Sequence, residues 1–186
     1  EQAKRFLWIL DHPVTIQRKA HTVKRNGKTV KIKEYKQLWS LDLKWQLFFY
    51  IALFTGARRG EIISLLWSDI DFTKNTIHFS KSTAVVKGEV IHKETKTYAT
   101  RQCAVPDIVI ATAKKLMKEQ KQICLQLGDY WKGSRGKQFQ DNFVFIREDG
   151  AQMHVDSPRT EFKRVIRIYN SNIAKDESEK IGRASC

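Results

Sequence analysis

The longest apolar run of the chain lies at residues 47–54, where every side chain is aliphatic or aromatic. This run is too short to span a membrane and too uniformly apolar for a helix that has one face in water. It therefore predicts a buried central helix, with Ser40 as a candidate N-cap. The next residues, 55–61, read TGARRGE and place two arginines at the edge of this hydrophobic segment.

Shorter patterns predict the remaining elements. Helical periodicity indicates helices at 1–10, 61–67, 107–127 and 157–169. In the helix at 107–127, Ile123 is expected to be buried. Alternation predicts a hairpin at 21–32 around Asn26-Gly27, which favours a two-residue turn. Alternating and β-branched residues predict three strands, at 76–80, 89–95 and 101–105. Residues 129–140 are expected to form an exposed loop, residues 143–146 a buried extended segment, and the residues from Asn170 onward a fraying loop. The predicted fold class is mainly α with a small three-stranded antiparallel β-sheet (α+β).

The charge of the chain points to a polyanion as partner. The net charge is +14, and residues 14–37 carry eight Lys or Arg against one Glu, a net +7. Nucleic acid is preferred over an anionic membrane, because no basic amphipathic helix with exposed aromatic residues is present. A basic hairpin lying along a phosphate backbone fits this segment. The alternative is a solvated basic ribbon without a partner.

Other chemistries have weaker support. Arg58 and Arg59 suit an anion site, but they could equally form ion pairs with Glu61 or Asp69. A metal-dependent nuclease would need Asp69 and Asp71 together with His78 or His92, yet paired aspartates in a turn usually form turns and caps. No cofactor or metal is expected. The three cysteines, Cys103, Cys124 and Cys186, fit neither a disulfide framework nor a metal site. Without an apolar span or a signal peptide, we expect an intracellular protein.

The order of the motifs adds a family resemblance. TGARRGE, LLWSDID and the basic turn KETKTYATRQCAVPD follow one another between the buried helix and a long helix. This arrangement resembles the catalytic domain of the tyrosine recombinase, or phage integrase, family, in the branch found on temperate phages and conjugative transposons. The resemblance covers about residues 1–170. It implies a bacterial cytoplasmic protein that acts on double-stranded DNA, as a tetramer in its full-length form and as a monomer in the form of this chain.

The resemblance also implies roles for individual residues. Arg58 would grip the scissile DNA phosphate, Glu61 would orient Arg58, and Lys96 would be the general acid toward the leaving 5′ oxygen, with Lys93 as the second candidate. Arg59 would be structural or would contact the DNA backbone. The residues expected to bind DNA are Lys24, Arg25, Lys28, Lys31, Arg59, Lys93 and Arg101.

Three expected parts of the family pattern are missing from the sequence. No His-x-x-Arg follows the helix that ends near Tyr169, the later His/Trp position is absent, and no later tyrosine could serve as the nucleophile. Tyr169 itself is expected in the core. We therefore expect residues 1–181 to be part of a catalytic domain, with 14–37 as a hairpin insertion and 182–186 as a tail or scar. Such a chain would bind DNA without cleaving it. The alternative is a non-catalytic basic nucleic-acid-binding module, a degenerate recombinase.

Overall fold

The structure is a computed structural model that describes residues 1–86, 89–94 and 101–182. The chain forms two compact units. The first unit contains Glu1–Asp42 and Glu161–Cys186, and the second contains Leu43–Thr160. The last helix begins in the second unit and continues in the first.

The first unit combines helices with two antiparallel strand pairs. Its elements are α1 (Gln2–Asp11), β1 (Val14–Arg18), β2 (His21–Arg25), β3 (Lys28–Ile32), β4 (Tyr35–Trp39) and the greater part of α5 (Ser157–Asn172). β1 pairs with β4, and β2 pairs with β3. The ring of Phe6 in α1 lies 5.3 Å from that of Phe162 in α5, which joins the two helices of this unit.

The predicted hairpin is confirmed as β2–β3. Asn26 and Gly27 have φ values of 49° and 75°, the left-handed conformation that a tight hairpin turn requires. The register pairs Lys24 with Thr29 and Arg25 with Lys28. Successive residues of a strand point to opposite faces, so Lys24 and Lys31 share one face of the ribbon and Arg25 and Lys28 share the other. β1 and β4 on either side were not predicted.

The C-terminal region of the first unit departs from the prediction of a fraying loop. The side chain of Asn170 accepts a hydrogen bond from the backbone N–H of Ile181 at 2.8 Å and donates one to its carbonyl at 3.0 Å. Ile181 is buried, with 6% of its surface exposed. The prediction of fraying from Asn170 was wrong for residues 170–182, because this attachment leaves no local periodicity in the sequence.

The second unit is built on the predicted central helix. Its elements are α2 (Leu43–Thr55), α3 (Arg59–Ile63), β5 (Ile70–Asp71), β6 (Thr76–Phe79), β7 (Lys81–Val86), β8 (Glu89–Glu94), β9 (Arg101–Ala104) and α4 (Asp107–Leu127), with 3-10 turns at Trp67–Asp69, Gly128–Tyr130 and Gly136–Asp141. Leu47 and Ile51 of α2 have no exposed surface, which confirms the predicted burial for residues 47–51. The prediction was wrong for the end of the apolar run, where Leu53 and Phe54 are 43% and 42% exposed. α2 begins at Leu43, so Ser40 is not its N-cap.

The α+β fold class is confirmed, but the strand membership of the sheet differs. The three-stranded sheet has the order β5–β6–β9. The strand predicted at 89–95 forms β8 instead, which pairs with β7 in a separate antiparallel hairpin. Alternation identifies extended segments but not their partners, and the short strand β5 leaves too little pattern to be recognised.

Three local predictions are also corrected. Ile123 is 38% exposed, and Cys124 and Gln120 occupy the buried face of α4 in its place. The segment predicted as an exposed loop at 129–140 buries Trp131 and Phe139. The helix predicted at 61–67 ends at Ile63, because the chain turns at Ser64 and Trp67 enters a 3-10 turn. The extended segment 143–146 is confirmed as buried, with bridges between Leu66 and Phe143 and between Ile146 and Gln152.

Candidate active site

A sharp connection between α2 and α3 presents the first candidate residue, Arg58. Gly56 follows the last residue of α2 and has a φ of 61°. Glycine adopts this left-handed conformation without steric strain, because it has no Cβ. The hydroxyl of Thr55 donates to the carbonyl of Ile51 at 2.6 Å and accepts from the N–H of Ala57 at 3.1 Å. Arg58 follows in an extended conformation as the N-cap of α3. Local hydrogen bonds therefore define the backbone conformation from which the side chain of Arg58 extends.

Glu61 is the buried centre of the site. Its side chain is only 7% exposed. Its Oε2 accepts the backbone N–H of Arg58 at 2.9 Å and Nη2 of Arg101 at 2.8 Å, whereas Nη1 of Arg58 lies 3.5 Å from Oε1. The side chain of Arg58 is 88% exposed. The carboxylate thus holds the backbone of Arg58 and leaves its guanidinium accessible to an external anion.

Two further arginines of the site are held by protein groups. Arg101 stands opposite Phe79 in the sheet, and its guanidinium lies 5.1 Å from the centre of that ring. Arg59 forms an ion pair with Asp156 at 2.9 Å, in which both side chains are partly exposed. Neither pairing could be predicted from the sequence, since each joins residues that are distant along the chain.

A buried polar network joins α3 to the β7–β8 hairpin. The hydroxyls of Ser64 and Thr83 are 2.7 Å apart, and Ser64 donates to the carbonyl of Gly60 at 2.7 Å. The amide of Gln152 donates to Thr83 at 3.0 Å and to the carbonyl of Ile63 at 3.1 Å. Sequence reasoning missed Ser64, Thr83 and Gln152, whose side chains form this network. Their hydrogen bonds attach the base of the hairpin beside the helix that Arg58 caps.

Lys96, the predicted general acid, lies outside the described residues. The described residues on either side of it are Glu94 and Arg101. In the β7–β8 hairpin the backbone of Glu94 pairs with that of Lys81, and the side chain of Arg101 binds Glu61. Lys93 lies in β8 opposite Ser82.

The close approach of α3 and β7 leads to a stability prediction. Alanine in place of a helical glycine usually stabilises a protein by about 0.5–1 kcal/mol. A Cβ on Gly60, however, would clash with the backbone oxygen of Thr83, because it would lie closer than van der Waals contact allows. A backbone oxygen cannot rotate away as a flexible side chain could. We expect Gly60→Ala to lower the free energy of unfolding by about 1–3 kcal/mol in urea denaturation. An unchanged or higher free energy would show that α3 and β7 do not pack this closely.

The predicted DNA-binding residues of the hairpin are all on the surface. Lys24, Arg25, Lys28 and Lys31 are exposed. Their positions on both faces of the ribbon make them available to a phosphate backbone from either side.

The two aspartates considered for a metal site form local hydrogen bonds. Asp69 accepts the N–H of Leu66 at 2.8 Å, and Asp71 accepts those of Lys74 and Thr73 at 2.9 Å each. The backbone N–H of Lys74, followed by that of Thr73, lowers the pKa of Asp71. Among the residues that the structure describes, no three His, Cys, Asp or Glu side chains are grouped to hold a metal ion. The two aspartates are therefore a cap and a turn former.

Comparison with known proteins identifies the family. The model of the phage integrase family matches residues 22–179. This chain belongs to the phage integrase family. The resemblance to tyrosine recombinases is thereby confirmed. Tyr169 is buried, with 6% of its surface exposed, as expected for a core residue.

Solved structures show the same fold. The Tn1549 transposon integrase in complex with a circular intermediate DNA has a TM-score of 0.55 and 22% identity, over 74% of this chain and 43% of that one. The same integrase in complex with transposon right end DNA has a TM-score of 0.55 and 23% identity, over 73% and 40%. This chain thus spans less than half the length of these neighbours.

Two further comparisons complete the description. A search of curated proteins finds no match. Within the described part of the integrase, none of the helices has the length and apolarity needed to cross a membrane.

Proposed function

We propose that this chain is the DNA-binding and phosphate-gripping part of a site-specific tyrosine recombinase, which breaks and rejoins DNA through a 3′-phosphotyrosyl intermediate. The observation that carries this proposal is the guanidinium of Arg58, which is 88% exposed while its backbone is bound by the buried Glu61. A planar guanidinium can donate two hydrogen bonds to the non-bridging oxygens of one phosphate.

The chemistry of strand cleavage explains why an arginine belongs at this position. When a tyrosine oxygen attacks phosphorus, negative charge builds on the equatorial oxygens, and preorganised donors stabilise that charge. The leaving 5′ oxygen needs a proton, which we assign to Lys96, with Lys93 as the second candidate. A lysine with a pKa near its ordinary value carries this proton at neutral pH.

The chain itself is proposed to bind DNA without cleaving it. Its sequence contains no His-x-x-Arg and no tyrosine beyond Tyr169, which is buried. The alternative function is a non-catalytic DNA-binding module derived from a recombinase. It is favoured by the absence of His-x-x-Arg and of a tyrosine after Tyr169 in this sequence. For a full-length protein we propose a tetramer on DNA, and for this chain a monomer.

A salt titration tests DNA binding. Lys and Arg side chains that neutralise phosphates release counterions, so the logarithm of the binding constant should fall linearly with the logarithm of salt, by about 0.9 for each phosphate neutralised. We expect a steep slope for a labelled duplex followed by fluorescence anisotropy. Binding that is undetectable, or unaffected by salt, would contradict the proposal.

The two faces of the hairpin provide the matched variants. Lys24→Gln with Lys31→Gln neutralises one face, and Arg25→Gln with Lys28→Gln neutralises the other. A face that contacts phosphates should lose about two from the salt slope when its pair is replaced. Lys114→Gln with Lys118→Gln on α4 makes the same change in net charge at exposed positions. Equal effects of all three pairs would show that net charge, and not the hairpin, governs binding.

A further inference from the structure

Among the described residues, two arginines, Arg58 and Arg101, share the single carboxylate of Glu61. One carboxylate, 7% exposed, lies between two arginines. Its Oε2 is shared by Nη2 of Arg101 at 2.8 Å and the backbone N–H of Arg58 at 2.9 Å. The guanidinium of Arg58 is only at 3.5 Å from the other oxygen. The short ion pair of this carboxylate is therefore with Arg101.

Arg101 is placed for this task by a second contact. Its guanidinium lies 5.1 Å from the centre of the Phe79 ring, the residue opposite it in the sheet. Stacking on an aromatic face and bonding to a carboxylate together restrict the orientation of a guanidinium. The side chain is 43% exposed, about half the exposure of Arg58.

A buried carboxylate without a cation is strongly unfavourable. Among the residues that the structure describes, the cation left beside Glu61 in the absence of Arg101 would be the guanidinium of Arg58, three residues earlier in the chain. Drawn onto Glu61, that guanidinium would offer less charge and fewer donors to an external phosphate.

We propose that Arg101 is a positioning residue that neutralises Glu61 and thereby keeps Arg58 free to bind the DNA phosphate. This inference rests on the proposed role of Arg58. Arg101 would then act through Glu61 and Arg58 and not by contacting DNA directly. The ion pair of Arg101 with Glu61 also links β9, the strand that follows residues 95–100, to the N-cap of α3.

Binding measurements on variants of the whole chain test this proposal. The probe is a labelled duplex of random sequence at low, fixed salt. We expect Arg58→Ala and Arg101→Ala each to weaken binding roughly tenfold, the loss of one charge-assisted contact. The double variant should bind no more weakly than either single variant. Groups that act independently would instead give additive losses.

Removal of the carboxylate charge gives the sharpest comparison. In a Glu61→Gln background no cation is required, so Arg101→Ala should change the affinity by no more than about twofold. A structural role of Arg101 that does not depend on Glu61 would not be rescued by this substitution. Arg101→Lys, which retains the positive charge, should retain most of the affinity. If Arg101→Ala fails to fold, the Arg101→Lys and Glu61→Gln/Arg101→Ala variants decide the question.

A matched arginine controls for the loss of surface charge. Arg135 is 45% exposed and pairs with Asp129, whose carboxylate is fully exposed. Arg135→Ala uncovers no buried charge and should weaken binding much less than Arg101→Ala. A loss on Arg101→Ala that persists in both the Arg58→Ala and Glu61→Gln backgrounds would overturn the inference and indicate a direct DNA contact. If Arg58→Ala leaves binding unchanged, the proposed function fails, and this inference fails with it.

Discussion

Under the proposed function, replacement of Arg58 by alanine should lower the rate of DNA strand cleavage by about 10²–10³-fold in a longer form of the protein that contains a nucleophilic tyrosine. This is the loss typical of removing one preorganised donor from a developing oxyanion. Folding should be unaffected, because the side chain is 88% exposed and Glu61 retains its bond to Arg101. Single-turnover cleavage of a labelled core-site duplex measures the rate, and urea denaturation measures the stability.

The neighbouring arginine is the control for this experiment. Arg59 already forms an ion pair with Asp156 at 2.9 Å, so Arg59→Ala should reduce cleavage far less than Arg58→Ala. Arg58→Lys retains a charge but loses the planar pair of donors, and should recover only part of the rate. Equal losses at the two positions would contradict the assignment. A large loss of stability on Arg58→Ala would instead favour a structural ion pair with Glu61.

The second large effect is expected at Gln120, in the core of the second unit. The side chain of Gln120 accepts the indole N–H of Trp67 at 2.9 Å and donates to the carbonyl of Val144 at 2.8 Å. All three residues are buried. Gln120→Ala leaves two buried groups without partners, at about 1–3 kcal/mol each. We expect the free energy of unfolding to fall by about 2–5 kcal/mol in urea denaturation.

Two variants separate the causes of this effect. Gln122→Ala is the same change at an exposed position of the same helix, and should alter the stability by no more than about 0.5 kcal/mol. Gln120→Met keeps most of the volume while removing both hydrogen bonds, so it should remain strongly destabilising. If Gln120→Met restores stability, a cavity and not the lost hydrogen bonds accounts for the effect of Gln120→Ala.

Some features of this chain were predictable because they depend on neighbouring residues. The burial of residues 47–51 of α2 follows from the apolar run, and the β2–β3 turn follows from Asn26-Gly27, whose residues adopt positive φ readily. Gly128 ends α4 at the predicted position with a φ of 52°. The motif around Arg58 indicates this residue as a candidate without any knowledge of its exposure.

Other features depend on partners that are distant along the chain. Alternation indicated that residues 89–95 are extended, but it could not show that β8 pairs with β7 instead of joining the three-stranded sheet. The periodicity of α4 favoured Ile123 over Gln120 for the core, because hydropathy carries no information on a buried indole that needs an acceptor. Residues 129–140 were expected on the surface because the segment is polar and basic and shows no periodicity, although Trp131 and Phe139 are buried.

By itself, the sequence determined the backbone preferences of this chain, its most hydrophobic helix, its basic hairpin and the choice of Arg58 as the candidate for phosphate binding. Only the tertiary structure decided that Glu61 is neutralised by Arg101, forty positions away, and that Thr83 and Gln152 attach the β7–β8 hairpin to α3. Period and turn chemistry are local properties, whereas the partner of a buried charge is chosen by the packing of the whole unit. The accessibility of Arg58 is a result of that packing.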